Sequence, residues 1–290
     1  MNILVLSRNA ALYSTNSIVT AARRRRHQVM VLDHQRFDLV VDEDGLSAYY
    51  NHVKIKGIDA IIPRIGATAT VFGAAVIRHF EQMGVFTACP SEALLRARDK
   101  FKCIQHLASN GVAVPKTILV NPIDVKTGFL SGQFDLPVVV KLKESTHGMG
   151  VVLAQDFGTA QSMAEAFTRL DQETLVQQFI KESNGCDIRA FVVDDEIAGS
   201  MRREAAEGDF RSNLHRGGTS YQEALSDEER ALALKAASVM GLKIAGVDIL
   251  RSSNGPLVLE VNASPGLEGI ETTTKIDIAG KIIRFIERNA

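Results

Sequence analysis

Three short apolar runs, "NILVLS" from Asn2, "QVMVLD" from Gln28 and "GIDAIIP" from Gly57, set the strongest constraint on the fold of this chain. The first two are separated by a helix-length segment that begins near Ser14. Strands joined by helical crossovers run parallel and need both faces of their sheet covered. A helix over about Thr70 to Met83 and a return strand near Phe86 would complete an α/β unit over residues 1–90. Its first strand-to-helix turn, Ser7-Arg8-Asn9-Ala10, lacks the glycines of a dinucleotide fingerprint.

Beyond residue 90 the rhythm changes. Ser91 is read as the N-cap of one helix running to Asn110-Gly111. Strands follow at "PKTILV", "LPVVVKLK", "GVVLAQ" and "TLVQQFI", with a helix over about Thr159 to Leu170. "DIRAFVVDDEIAGSMRRE" predicts two antiparallel strands turning at Asp194-Asp195, and the polar stretch "EGDFRSNLHRGG" follows them. A helix over "SDEERALALKAASVMG", a hairpin and an amphipathic helix over about Asp277 to Arg288 end the pattern. The class is therefore α/β, with α+β character in the C-terminal part.

That hairpin, "GVDILRSSNGPLVLEVNASPG" from Gly246 to Gly266, turns at Asn254-Gly255 and carries Asp248, Glu260 and Asn262 among strand residues. A three-residue loop, Ser253 to Gly255, sets Leu250 opposite Val258 and Asp248 opposite Glu260. A two-residue loop would flip one strand to the other face. Glu260 and Asn262 are two apart and share a face at any register. Two adjacent carboxylates repel unless a cation lies between them, and this hard oxygen set suits magnesium when phosphates complete the coordination. A solvated hairpin face with chance acidic residues is the other reading.

Lys141 and Lys143 share one face of "VVVKLK", and Lys100 precedes them on a helix. A lysine directly after three valines calls for an anionic partner or for snorkelling to solvent. The stretch Ser145-Thr146-His147-Gly148-Met149-Gly150 has the hydroxyls and glycines that let backbone N–H groups approach phosphate. With 33 basic against 34 acidic residues, the chain has no overall pull toward nucleic acid or an acidic membrane. The basic run Arg23-Arg24-Arg25-Arg26-His27 is read as a solvated helix end. No segment approaches the roughly 18 apolar residues of a membrane helix, and Met1 to Leu6 enters a strand at once, so a cytoplasmic location is expected. Cys89, Cys103 and Cys186 fit no metal spacing and are read as free thiols.

Together these residues resemble the ATP-grasp carboxylate-amine ligases, over Ser91 to Asn289, behind a small parallel-sheet domain. More narrowly, "PRIG" at Pro63, "RARDK" at Arg96, "GDFRSNLHRGG" at Gly208 and "VNASPGLEGIE" at Val261 resemble the RimK family. Its namesake adds glutamate to the C-terminus of the sixth protein of the small ribosomal subunit. The resemblance implies an ATP-grasp small subdomain with linking helix over 91–176 and a C-terminal subdomain over 177–290. It implies ATP as cofactor with two Mg2+ ions, manganese being the alternative. Lys100 and Lys141 would hold the phosphates while the loop from Thr146 to Gly150 closes over them. Gln177, Gln178 and Phe179 would meet adenine, although Gln178 stands where the family often has glutamate. Asp187 would meet the ribose, Arg211, Ser212 and Asn213 would contact the nucleotide, and Asp248, Glu260 and Asn262 would hold the metals, with Glu260 bridging.

The implied chemistry is phosphoryl transfer to a carboxylate, then amine attack on the acyl phosphate. Arg203 is the candidate for stabilising the tetrahedral intermediate, with Arg202 as the alternative one residue away. Ser264 and Gly266 would present a hydroxyl and an N–H to the incoming amino acid, or form a simple turn. Arg64 is either a substrate-carboxylate ligand or a surface arginine, and His147 and His215 are read as loop residues. The implied partners are glutamate and a ribosomal protein C-terminus, with no direct nucleic-acid or membrane contact; a homo-oligomer is allowed. A ligase acting on a small metabolite or carrier protein, a non-catalytic nucleotide-binding regulator and an ATP-grasp kinase are the competing readings.

Overall fold

The computed structural model describes residues 1–121, 126–144, 150–212, 214 and 217–290. Residues 145–149 of the glycine loop, His147 among them, and Asn213 and His215 lie outside the described residues.

The opening segment is β1 (Asn2–Leu6), α1 (Tyr13–Arg24), β2 (Gln28–Leu32), β3 (Phe37–Asp42), β4 (Gly45–Tyr50), β5 (Val53–Lys54), β6 (Ala60–Pro63), α2 (Thr70–Gln82) and β7 (Phe86–Thr87). The expected parallel sheet forms in the order β2-β1-β6-β7. Between β2 and β6 the chain inserts a three-stranded antiparallel sheet, β3-β4-β5, which the apolar-run reading passed over. The Asp44-Gly45 turn, with Gly45 at φ +111°, starts its second strand.

Next come α3 (Ser91–Arg98), α4 (Lys100–Ser109), β8 (Thr117–Leu119), α5 (Thr127–Ser131), β9 (Val138–Leu142), β10 (Val151–Ala154), α6 (Phe157–Arg169) and β11 (Thr174–Gln178). The single helix expected from Ser91 is two. Asp99 leaves the helical conformation at ψ 106°, and its carboxylate accepts from the Phe101 and Lys102 N–H groups, starting α4. Ser91 is not the cap, since its hydroxyl donates to Glu81 at 2.7 Å. This break turns Lys100 away from the line of α3. Strands β10-β9-β11-β8 form an antiparallel sheet covered by α5 and α6, with its own apolar core around Val138, Val140 and Val176.

The last segment holds β12 (Cys186–Val193), β13 (Glu196–Glu204), β14 (Thr219–Gln222), α7 (Asp227–Val239), β15 (Ile244–Ser252), β16 (Gly255–Asn262), α8 (Glu268–Thr274) and α9 (Ile278–Asn289). Its antiparallel sheet runs β14-β13-β12-β15-β16. One core joins Leu4, Leu6 and Ile61 of the parallel sheet to Val247, Val258 and Ala236 of this segment. A second joins the opposite face, Ile3, Val5 and Ile62, to α1 and α9. Arg25 and His27 of the basic run are not simply solvated: both bond Glu287 on α9, at 2.6 and 2.7 Å. Among the described residues no helix is long and apolar enough to cross a membrane.

Candidate active site

The β15–β16 hairpin turns more tightly than the three-residue loop expected. Ser252 pairs Gly255, and Leu250 faces Leu257 rather than Val258. Gly255 sits at φ +103°, a conformation that strains any side-chain-bearing residue. A bulge at Leu259 then inserts one residue into β16, so Asp248 faces Glu260 after all. The expected pairing of carboxylates holds, but the bulge produces it and the loop does not. Asn262 Nδ2 lies 3.1 Å from Glu260 Oε1 and 3.5 Å from Asp248 Oδ2, which puts all three side chains on one face.

Much of the charge on this face is compensated from within the sheet. Arg189, which sequence reasoning missed, donates from Nε and Nη2 to the two oxygens of Asp248 at 2.7 and 2.6 Å. Arg203 donates in the same forked way to Asp187, at 2.6 Å on each arm, and reaches Asp248 at 2.9 Å. Ser212 donates to Asp187 at 2.6 Å. Asp187, Arg203 and Asp248 are each at most 5% exposed, and burial of charge at that depth is tolerated only with such pairing. Burial alone would raise the Asp248 carboxyl, but Arg189 and Arg203 outweigh it and hold it down to about 2. Burial also opposes the Arg203 charge, yet Asp248 and Asp187 push that guanidinium further up. Between the two arginines left open by the sequence, Arg203 faces the cluster, while Arg202 points to Glu204 and lies over Tyr221. The alternation of β12, with Asp187 and Arg189 two apart, was the signal that could have found Arg189.

Opposite this face stands the β9 sheet. Lys141 does not snorkel: it is 7% exposed, and its Nζ donates to Gln177 Oε1 at 2.9 Å. Gln177 in turn donates to Thr117 at 2.8 Å, so its side chain holds the lysine rather than facing outward. Burial lowers Lys141 to about 8 against the opposing pull of Glu260. Burial lowers Lys100 as well, again opposed by Glu260. Lys143 turns to Asp99, at 3.5 Å, and Glu173. At the end of β11, the Gln178 N–H is taken by the Lys116 carbonyl at 2.9 Å. Phe179 packs edge-on to Phe210 with ring centroids 6.1 Å apart, and Arg211 lies over the same Phe210 ring while gripping Asp209.

Glu260 is the one carboxylate of the cluster in no ion pair among the described residues, although Arg98, Lys100, Lys141 and Arg203 all feel its charge. Among the described residues no three His, Cys, Asp or Glu side chains form a ready metal site. Two carboxylates and an amide oxygen fit magnesium only when further oxygens come from elsewhere.

The remaining expected residues lie at the junction with the parallel sheet. Arg64 Nη2 donates to the Pro265 carbonyl at 2.8 Å, Ser264 Oγ to the Pro63 carbonyl at 3.3 Å, and the Leu267 N–H to Ser14 at 2.9 Å. Ser264 thus spends its hydroxyl on the joint between the two segments, and Gly266 is exposed. A Cβ on Gly246 would stand 2.8 Å from Pro265 Cβ, so only glycine lets this turn pack over β15.

Residues 1–94 match the family model described as the RimK PreATP-grasp domain, and residues 97–286 that of the RimK-like ATP-grasp domain. A "Probable alpha-L-glutamate ligase" of Trichodesmium erythraeum is 47% identical over 289 residues, spanning 100% of this chain and 97% of its own length. A protein of the same name from Nitrosococcus oceani is 50% identical over 290 residues, spanning 100% and 96%. Among solved structures, the ATP-grasp ligase PsnB complexed with minimal precursor superposes with a TM-score of 0.77 at 20% identity, over 100% of this chain and 99% of its own. D-alanine–D-alanine ligase from Bacillus anthracis complexed with ATP gives 0.73 at 16% identity, over 99% and 96%. The distant structures show the fold alone; the two family models and the full-length relatives go further, and by them this chain belongs to the RimK family of ATP-grasp ligases.

Proposed function

We propose that this enzyme joins glutamate through its amino group to the C-terminal carboxyl of a small-subunit ribosomal protein, in the cytoplasm, using ATP and two magnesium ions. The observation that carries the reading is Glu260, a carboxylate in no ion pair among the described residues, beside the ionised Asp248 and facing the buried Lys141. That arrangement lacks a cation on one side and an anion on the other, and a magnesium-bound triphosphate supplies both.

In this reading residues 1–90, 91–176 and 177–290 act as three units, with ATP between the second and third. Lys100 and Lys141 hold the phosphates, Gln177 fixes Lys141, and the Gln178–Phe179 backbone meets adenine. Asp187, Arg211, Ser212 and Asn213 line the nucleotide. Asp248, Glu260 and Asn262 hold the magnesium, the Asn262 amide turning over to present its oxygen. Bound magnesium neutralises the terminal phosphates. The acceptor carboxylate takes the γ-phosphoryl group, the amine then attacks the acyl phosphate, and phosphate leaves with ADP already formed. Arg203, fixed by Asp187 and Asp248, stabilises the tetrahedral intermediate. Manganese substitutes for magnesium on the same ligands.

The test is incubation with ATP, Mg2+, glutamate and intact small-subunit ribosomal protein, read by mass and by nucleotide product. Added glutamate residues with ADP are expected. Turnover on free dipeptides or metabolites alone would move the acceptor to a small molecule. Release of AMP and pyrophosphate, or a stable phosphorylated product without an amide, would overturn the mechanism.

A further inference from the structure

The carboxyl edge of a parallel sheet is where α/β folds place ligands. Here that edge carries cations that, among the described residues, form no ion pair with a carboxylate. Arg64 follows β6, and Arg98 at the end of α3 donates to the Ile65 carbonyl. Burial, with the Arg98 charge adding to it, lowers Arg64 to about 10, and burial likewise lowers Arg98, with Cys89 and Glu260 opposing. The hydrogen-bond acceptors of both are backbone carbonyls, Pro265 for Arg64 and Ile65 for Arg98, and among the described residues neither is in an ion pair with a carboxylate. The Nε of Arg98 is buried with no partner at all among the described residues.

Arg8, exposed at the end of β1, stands at the rim: its Nη2 lies 3.5 Å from the point a Cβ on Gly66 would occupy. Next to it, after β2, His34 is fully buried with both ring nitrogens unbonded, kept neutral by burial with Arg8 adding to the effect and Asp33 opposing it. Asp33, the carboxylate nearest His34, accepts the Gln35 N–H. The group therefore combines two part-buried guanidiniums, a third at the surface and several unsatisfied nitrogens. Arg64 is bonded to the turn that follows Asn262, and Arg98 is two residues from Lys100, so the group begins where the metal-ligand cluster ends.

We propose that Arg8, Arg64 and Arg98 form a carboxylate-binding subsite that selects an acidic amino acid, or a chain end bearing one, over its uncharged amide. The planar fork of arginine matches a carboxylate in two parallel hydrogen bonds, and a desolvated site built for charge rejects the neutral isostere. The placement beside the reacting centre rests on the ligase reading; the binding does not.

The test uses the full chain with Mg2+ and a non-hydrolysable ATP analogue, titrated calorimetrically with L-glutamate and L-glutamine. A parallel arm titrates a glutamate-ending peptide as free acid and as C-terminal amide. At least a tenfold preference for the charged member of one pair is expected. Arg64→Gln and, because it is exposed and safe for folding, Arg8→Gln should each reduce that preference below threefold, with nucleotide-analogue affinity within twofold. Loss confined to free glutamate assigns the subsite to the incoming amino acid, and loss confined to the free-acid peptide assigns it to the acceptor; either supports it. No charge preference in the unsubstituted protein, or an unchanged preference in both variants, overturns it. Neither arm needs turnover, so failure of the enzyme to form ADP leaves this result standing on its own.

Discussion

Two groups of charge sit next to one another, one buried and one part-buried, and are built on opposite plans. On the antiparallel sheet, Asp187, Asp248 and Glu260 meet Arg189 and Arg203, three carboxylates against two guanidiniums, leaving one negative charge on Glu260. At the carboxyl edge of the parallel sheet, the hydrogen bonds of Arg64 and Arg98 among the described residues go to backbone carbonyls, and Glu260 acts on Arg98 only at a distance. The paired charges are fixed before any ligand arrives and stiffen the sheet; the unpaired ones gain their partners from what binds. In a protein whose substrates are anions carried with a divalent cation, the residual signs of the two groups are complementary to those substrates.

The sharpest way to break this contrast is to remove a paired charge. Asp248→Ala leaves Arg189 and Arg203 without their shared acceptor, and stability should fall by about 3–5 kcal/mol, read by urea unfolding. Arg64→Ala takes away a part-buried charge with no ion-pair partner among the described residues and strands only the Pro265 carbonyl, so it should cost about 1–2 kcal/mol, less than Asp248→Ala. Equal losses in the two variants would erase the distinction. Glu260→Gln sharpens it from the other side: Glu260 holds no ion pair among the described residues, so the fold should keep its melting temperature while ADP formation drops by about 10³-fold, roughly 4 kcal/mol of barrier. Near-normal turnover would remove Glu260 from the metal site.

Much of this arrangement was legible beforehand, for identifiable reasons. Asp248, Glu260 and Asn262 stood out because ligand-grade oxygens are costly among strand residues, and Lys141 because a charge after three valines needs an account. The bulge at Leu259 left no local mark, since Leu257, Val258 and Leu259 are interchangeable by hydropathy; the right pairing emerged from a wrong loop. Asp99 was hidden inside an otherwise helical pattern, where a single capping carboxylate redirects the chain. Arg189 was legible in principle from strand alternation. The meeting of Arg64 with Arg98 was not, because it arises from docking one segment against another and no spacing rule spans that distance.

Lys141 connects the two plans, since it is a buried cation that borrows only a neutral amide. Burial lowers it to about 8, below the roughly 10.4 of an exposed lysine, with Glu260 opposing. Between those values the unfolded chain binds the extra proton, so ligand-free stability should rise with pH there. Nucleotide affinity should move the other way: above pH 8 the triphosphate must recruit a proton to Lys141, and binding should weaken roughly five- to tenfold from pH 7.5 to 9. Lys141→Arg, which keeps its charge, should flatten the profile; the same slope in that variant would assign the titration elsewhere.

The smallest effect serves as the control for all of these. Ser226 caps α7 by accepting the Glu229 N–H at 3.2 Å, while Glu229 accepts the Ser226 N–H at 2.9 Å and the Arg251 guanidinium. This is also a compensated charge group, but it lies on the side of the sheet away from the cluster. Because α7 packs against β15 and β16, which carry the proposed metal ligands, a purely mechanical coupling would let any loosening of the helix reach the site. Ser226→Ala should cost about 1 kcal/mol of stability through the lost cap and leave kcat and nucleotide affinity unchanged. If ADP formation falls along with stability in this variant, losses of activity in the cluster variants reflect loosening of the sheet rather than charge. If it holds, the charge pattern itself accounts for the larger effects.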